Sequence, residues 1–346
     1  MKKIISLSFL LCGLLISTPH SFAQNKKSKK NRKEVVQTQP TQEPEPPTVT
    51  EYRKGVKGMR KHPGLINVFE NGSNFLFEIP QDLLGKDLLL TSRVATTSNN
   101  TATVAGEMPH SPVLITFSVR GDRFYVHKKV YRSVCDSESS LKASFDRNFT
   151  NPIWKSYKIK GMSPQGDFLV EMAPLFTSDV KELDPFKKGD TRSSLTGSPV
   201  HDLCSILESK SFPKNLQVRS QMGYNTSGEP LTVTMLRNII LLPEKPMRPR
   251  LADPRIGYFD ERKEYFTDKL DGVTRLAYIK RWNIQPKDSA AYARGETVEP
   301  LKPIVFYVDT AIPAKWRPYI KAGILDWNKA FEKIGFKNVM VAKDYP

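Results

Sequence analysis

Val113-Leu114-Ile115-Thr116-Phe117-Ser118-Val119-Arg120-Gly121-Asp122-Arg123-Phe124-Tyr125-Val126-His127-Lys128 reads as two extended runs meeting at a tight turn. Apolar, β-branched and aromatic residues alternate or run together over Pro112–Arg120 and again over Arg123–Arg132. The Gly121-Asp122 pair between them is a strong short-range hairpin signal. Arg120-Gly121-Asp122 also spells an adhesion tripeptide, but a turn in which glycine supplies a positive φ accounts for it fully.

The same grammar extends in both directions. Strands are expected at Leu65–Phe69, Asn74–Ile79 and Asp87–Val94, and at Ile153–Lys160 and Asp167–Met172 around Gly161 to Gly166. Further extended runs are Leu216–Tyr224, Leu231–Leu242 and Val273–Asn283. Short helices are expected at Ser140–Phe149 and near Pro199–Ser209. Strands this frequent, joined by hairpin-type turns, favour antiparallel sheets in a sandwich or a strongly bent sheet. The fold class expected is α+β: a mainly antiparallel β region followed by a strand–helix–strand unit. The boundaries are a small β segment over 51–97, a β-rich domain over 98–300, and an opening of a second domain over 301–346.

That last unit has a different period. Pro303-Ile304-Val305-Phe306-Tyr307-Val308 is almost continuously apolar, as in a strand buried on both faces. Pro313 suits the first turn of a following helix. Trp316, Tyr319, Ile320, Ile324, Trp327, Phe331 and Ile334 fall at three-and-four spacing on one face. Gly335 sits where a left-handed C-terminal cap is wanted, with Phe336 behind it. Asn338–Ala342 restarts an extended run. A strand, a crossover helix and a returning strand normally seed a parallel sheet. The pattern therefore expects a domain that is opened and not completed within these residues.

At the other end, Lys2 and Lys3 precede an apolar run from Ile4 to Ile16, and Ser21-Phe22-Ala23 offers small residues at a cleavage site. The run is shorter than the roughly 20 residues a bilayer span needs. Residues 1–23 are expected to be a signal peptide and the mature protein to be exported: periplasmic, on the outer surface or secreted, with no transmembrane segment. Residues 24–50, rich in Gln, Pro, Glu, Thr and Lys, bury too little to offset their ordering entropy and are expected to form a disordered linker.

The formal charge is +17. Removing Lys2 and Lys3 lowers it to +15, and setting aside the six cations between Lys26 and Lys33 leaves +9. The remaining cations are interleaved with acids rather than laid along one face, so no nucleic-acid partner is expected. Export removes Cys12. Cys135 and Cys204 then either form one bridge or remain two separate thiols.

Few residues are available for catalysis. His62, His110, His127 and His201 are the histidines beyond the signal, and no two lie within ten positions of each other. A zinc-protease helix needs two histidines one turn apart so that both reach one ion. No such pair is present, nor a Cys-x-x-Cys pair, a phosphate loop or a nucleophile elbow. His201-Asp202 reads as a helix start. No catalytic, cofactor-binding or metal residue is assigned in this chain. The most unusual segment is 243–260, where Pro243, Pro246, Pro249 and Pro254 forbid both a helix and a central strand. It reads either as a long ordered connection or as a strap crossing a neighbouring domain, pinned by ion pairs among Arg248, Arg250, Asp253 and Arg255, with Tyr258 alongside.

Several ordered blocks carry a resemblance: Met247-Arg248-Pro249-Arg250, Asp253-Pro254-Arg255-Ile256-Gly257-Tyr258-Phe259, Tyr278-Ile279-Lys280-Arg281-Trp282, and Lys302 to Asp309 with Trp327 to Phe336. Together they resemble a family of exported bacterial zinc-dependent metalloproteases, in which two domains of unknown function precede a metzincin-like catalytic domain. The resemblance covers essentially the whole chain after the linker. It implies that Ile304 to Ala342 form the first strand, first long helix and second strand of the catalytic domain. The family's His-Glu-x-x-His helix and third zinc ligand match no position here, so no residue role is carried over. Zinc is implied for the full-length family and none for this chain. Two expectations follow. One is the front part of a secreted zinc endopeptidase, inactive alone, whose partners are the downstream catalytic domain and a protein or peptide substrate. The other is a non-catalytic β-rich support, prodomain-like or binding module.

Overall fold

The structure is a computed structural model that describes residues 48–186, 197–226 and 229–346. The expected signal peptide (1–23) and most of the expected linker (24–50) lie outside the described residues. The last part of that linker segment is ordered. Helix α1 (Val49–Gly55) starts there, capped by Thr48. The Thr48 hydroxyl accepts from the Glu51 amide at 3.4 Å and the Glu51 carboxylate accepts from the Thr48 amide at 2.8 Å. This reciprocal capping box is written in Thr48-Val49-Thr50-Glu51, a signal that outweighs the polar composition around it.

Mostly antiparallel strands then follow: β1 (Arg60–His62), β2 (Asn67–Asn71), β3 (Asn74–Ile79), β4 (Leu88–Thr97), β5 (Val113–Arg120), β6 (Arg123–Lys128) and β7 (Ser133–Cys135). After helix α2 (Lys142–Asn148) come β8 (Ile153–Met162), β9 (Phe168–Val170) and the single turn α3 (Pro174–Thr177). The set continues with β10 (Gly197–Pro199), β11 (Ser205–Phe212), β12 (Asn215–Thr226), β13 (Pro230–Leu241), β14 (Asp260–Phe266) and β15 (Thr274–Ile279). The fold is α+β and mainly antiparallel β, as the sequence pattern indicates.

Twelve of the described strands share one sheet, in the order β1-β2-β3-β9-β8-β6-β5-β4-β13-β12-β10, with β11 also on β12. Segment 51–97 and the strands that follow it thus contribute to the same sheet. The β5–β6 hairpin turns at Gly121, whose φ is 58°, with Arg120 opposite Arg123. A left-handed first turn residue matches the right-handed twist of the flanking strands. Alternation sets the faces: Leu231, Val233, Met235 and Ile239 of β13 all point inward and are buried.

The sheet bends until its ends meet. The Leu65 amide donates to the Phe212 carbonyl at 2.8 Å, and the Ser211 hydroxyl donates to the Ile66 carbonyl at 2.7 Å. Gly64 permits this approach, because a Cβ there would overlap Ser211. The main core includes Val68, Phe77, Leu90, Phe117, Phe124 and Val218, and a second cluster gathers Leu231, Val233 and Met235 with Tyr224. Joining the ends also covers edges that would otherwise be open to another chain.

A small second sheet has the order β15-β14-β7, with β7 parallel to β14. Helix α2, predicted over Ser140–Phe149, sets Phe145, and Phe149 just past its end, at a tilt against Phe266 of this sheet. The helix expected near Pro199–Ser209 does not form. One 3-10 turn spans His201–Leu203, and Ser205–Phe212 is strand β11 along β12. Cross-strand pairing and burial of Ile206 override the local helical pattern.

The C-terminal region consists of α4 (Ser289–Ala293), β16 (Ile304–Val308), α5 (Arg317–Leu325), α6 (Asn328–Glu332) and β17 (Met340–Asp344). β16 and β17 pair in parallel, Ile304 opposite Met340, as the strand–helix–strand pattern predicts. Gly335 has φ 82° and Phe336 behind it is buried, so the predicted cap is present. Two details differ. Pro313 opens the turn before the helix, and Pro318 occupies the first helical turn instead. β16 is buried only at Ile304 and Val308, and among the described residues β17 is the one strand beside it.

Candidate interaction surface

The clearest departure from ordinary burial is the surface of this C-terminal unit. Its small core joins Ala291, Val298, Ile304, Phe336, Val339 and Met340. Asn328 latches α6 to β17: its side-chain oxygen accepts from the Met340 amide at 2.8 Å and its nitrogen donates to the Met340 carbonyl at 3.0 Å. Lys321 of α5 pairs with Asp344 of β17 at 2.8 Å.

Around that core the apolar helix face read from the sequence is turned largely to solvent. Tyr319 is 72% exposed and Trp327 63%, and Trp316 and Ile334 are also exposed. Val305, Phe306 and Tyr307 are exposed along β16. Parallel strands are normally covered on both faces, and two strands alone are marginal. An exposed aromatic surface of this kind marks a candidate interaction site.

The proline-rich segment is an ordered connection bound to β15 through its main chain. Leu251 bridges to Tyr278, the Ala252 amide donates to the Ala277 carbonyl at 2.8 Å, and the Ile279 amide donates to the Arg250 carbonyl at 3.0 Å. The Arg281 guanidinium donates to the Arg248 carbonyl at 2.8 Å. The ion pair that Asp253 makes among the described residues is local. Asp253 accepts from Arg255 Nη2 at 2.6 Å, two residues along the same loop, and both are exposed. Close spacing in sequence lets this pair form locally at little entropic cost. The bond from Arg255 holds the Asp253 carboxyl below its usual range. The Arg248 and Arg250 guanidinium groups have no ion-pair partner among the described residues, and Tyr258 and Phe259 are exposed beside them.

The histidines are separated. His62 bonds Glu70 at 2.9 Å, His110 bonds Asp184 at 2.7 Å, and His127 bonds the Ser118 hydroxyl at 2.7 Å. His201 and Asp202 are fully solvated. Among the described residues no three His, Cys, Asp or Glu side chains gather as metal ligands. Cys135 and Cys204 are both free thiols, so the bridged alternative is not realised. Burial pushes the Cys204 thiol up, away from a reactive thiolate. No described helix is long and apolar enough to cross a membrane.

Residues 106–287 match the family described as a domain of unknown function, DUF5117, which is just over half of the chain. The chain belongs to the DUF5117 family. Residues 49–97 match a second domain of unknown function, DUF5118, beginning at the first residue of α1. No curated protein and no solved structure matches the chain. The DUF5117 match thus takes in β5 to β15 and the segment bound to β15, and ends before α4.

Two charged residues inside the DUF5118 and DUF5117 regions escape a reading by motif. Glu78 of β3 is buried, yet it accepts from Tyr52 at 2.8 Å and Asn67 at 2.6 Å and pairs with Lys61 at 2.9 Å. Burial pushes its carboxyl up, but the bonds from Lys61, Asn67 and Tyr52 outweigh that and hold it below the usual value. Arg237 of β13 is 2% exposed. The available signal was its place in the alternation, at an inward position between Met235 and Ile239.

Proposed function

We propose that this chain is the non-catalytic front part of an exported zinc-dependent metalloprotease, and that the C-terminal unit packs against a following catalytic domain. The observation that carries the reading is the pairing of a two-stranded parallel sheet with an aromatic, solvent-facing surface at Val305, Phe306, Tyr307, Trp316 and Tyr319. Further strands and a helix of a catalytic domain would cover that surface and extend the sheet. The ordered resemblance from Met247 to Phe336 supports the same assignment. The family descriptions themselves name no activity.

In this reading the zinc belongs to the catalytic domain, where it would activate a water for peptide hydrolysis. Residues 49–300 would support that domain, and a protein or peptide would be the substrate. The isolated 346-residue protein is expected to bind no catalytic zinc and to cleave no peptide. The test is the coding sequence that follows codon 346. An in-frame His-Glu-x-x-His helix, with chelator-sensitive peptidase activity in the longer product, is the expected result. Tight stoichiometric zinc on the 346-residue protein, or continuing coding sequence without that helix, would overturn the proposal.

A second reading is a binding or prodomain-like module, favoured by the exposed Tyr258, Phe259 and unpaired Arg248 and Arg250 on the segment bound to β15. Asp253→Ala in the longer product would then change activity or latency, whereas unchanged peptide hydrolysis would remove the idea.

A further inference from the structure

The small sheet has an edge that its own strands leave open. β7 pairs with β14 at Glu264, Tyr265 and Phe266 and no further. The chain bends at Arg132, whose carbonyl still accepts from the Glu264 amide at 2.8 Å, and the ladder ends there. On the other side of β14 the main-chain bonds alternate. The Ile279 amide donates to Arg250 and the Ala277 carbonyl accepts from Ala252, so both turn away from β14. These two residues stand opposite Asp260 and Arg262. Asp260 and Arg262 therefore direct their N–H and C=O groups to the side where β7 has stopped. On that side no described residue meets the Arg262 amide or carbonyl.

A cleft of about 600 Å³ opens at this edge, and Arg132, Ser133, Asp260, Arg262, Lys263 and Arg275 line it with Glu261 and Glu264. That is within the size range of ligand pockets. Its acids are engaged: Asp260 with Arg262 at 3.4 Å, Glu261 with Lys280 at 3.9 Å and Glu264 with the Ser133 hydroxyl at 3.3 Å. Several of its cations are not. Arg132 and Arg275 have no ion-pair partner among the described residues, and Lys263 reaches the Tyr131 carbonyl and ring. Burial, opposed by Glu261 and reinforced by Arg132, holds the Lys263 ammonium below its usual value. An anionic group beside Arg132 and Lys263 would relieve that repulsion.

We propose that the open edge of β14 takes up an extended, acidic segment of another polypeptide as an added strand, its main chain on Asp260 and Arg262 and a carboxylate at Arg132 and Lys263. Free donors and acceptors along a strand edge are a template for such pairing. Main-chain bonds attach the segment whatever its sequence, and the cations select its charge. The site stands independently of the protease reading, because the residues that meet the segment all lie between Arg132 and Arg275.

The test uses the full protein and two fluorescent heptapeptides, Thr-Glu-Val-Glu-Val-Glu-Thr and the same peptide with Lys at each Glu, titrated by anisotropy. The acidic peptide should bind roughly tenfold tighter or more, and hydrogen exchange should slow at Asp260–Arg262 while β12 and β13 keep their rates. Arg132→Glu changes an exposed side chain, so it should leave Tm unchanged and weaken the acidic peptide by roughly tenfold. Arg262→Pro removes a donor that faces the cleft and no ladder bond, so it should fold and lose the peptide. Should the proline variant fail to fold, Arg132→Glu and the exchange rate at Arg262 decide. Equal binding of the two peptides, binding without protection at Arg262, or no binding up to about 1 mM would overturn the site. So would a loss of self-association instead of peptide binding in Arg262→Pro, since a second copy would then fill the edge.

Discussion

Leu65 and Phe212 share one main-chain hydrogen bond of 2.8 Å, and it joins the first strands of the large sheet to its last. Around this seam small residues carry the close approaches. Gly64 lies against Ser211 there, just as Gly161 lies against Tyr52 where α1 crosses β8.

Gly161→Ala should undock α1. A Cβ at this position would overlap the Tyr52 main chain, which cannot swing aside as a flexible side chain would. Overpacking of this kind costs about 1–3 kcal/mol. Urea unfolding should show that loss, and limited proteolysis should show faster cleavage within Val49–Gly55. Unchanged stability and unchanged cleavage would mean that α1 does not rest on β8.

Acid should weaken the protein through Glu78 and Asp268. Both carboxyls are held below their ordinary values of 4.5 and 3.8, Asp268 at about 2 through bonds from the Ser140 side chain and amide. A depressed folded pKa gives stability that is fully present above the unfolded value and lost as pH falls through the folded one. For Asp268 that window runs from 3.8 down to about 2. Glu78→Gln and Asp268→Asn should each flatten the fall in urea-midpoint between pH 5 and pH 2, as checked by a pH series of denaturation curves. Parallel curves for wild type and variants would refute the assignment.

Asn328→Ala should loosen the C-terminal unit selectively. It removes both bonds to Met340 and leaves a buried amide and carbonyl without partners. An unsatisfied buried group costs about 1–3 kcal/mol. Hydrogen exchange should accelerate in β16 and β17 while β12 and β13 keep their protection. A uniform change over the whole chain would contradict a local latch.

The aromatic surface should make the isolated protein self-associate or bind a hydrophobic dye. Tyr319→Glu, on the fully helical part of that surface, should reduce both without lowering Tm by more than a degree or so, since surface substitutions usually cost under about 0.5 kcal/mol. Light scattering across a concentration series measures it. A monomer at all concentrations with no dye signal would argue that the surface is not adhesive.

Much of this fold is legible in local pattern. Gly121-Asp122 marks the β5–β6 turn because a two-residue connection needs its first residue left-handed, and Gly335 marks the helix end for the same reason. What local pattern misses is pairing over distance. Nothing within Ser205–Phe212 announces that it lies along β12, so the stretch near Pro199 reads as a helix until Ile206 and Ser209 are seen facing the core. Arg237 is missed for a related reason: its charge is tolerable only because Phe176 and Leu183, far back in the chain, turn their carbonyls toward it. Asp253 illustrates the local case: an arginine two residues away bonds its carboxylate, a pairing that close spacing in sequence makes easy.

The seam between Ile66 and Ser211 spans 145 residues. β4 likewise waits for β13 before one of its edges is filled. A polypeptide emerging from its N-terminus therefore presents Phe75, Phe77, Leu88 and Leu90 long before their final neighbours exist. Such distant pairings are slow, because loop closure must precede any gain from contact. The β2–β3 hairpin and the β4–β5 pair can form early. The seam and one edge of β4 would stay open during synthesis, so yield in a living cell should be sensitive to holding factors.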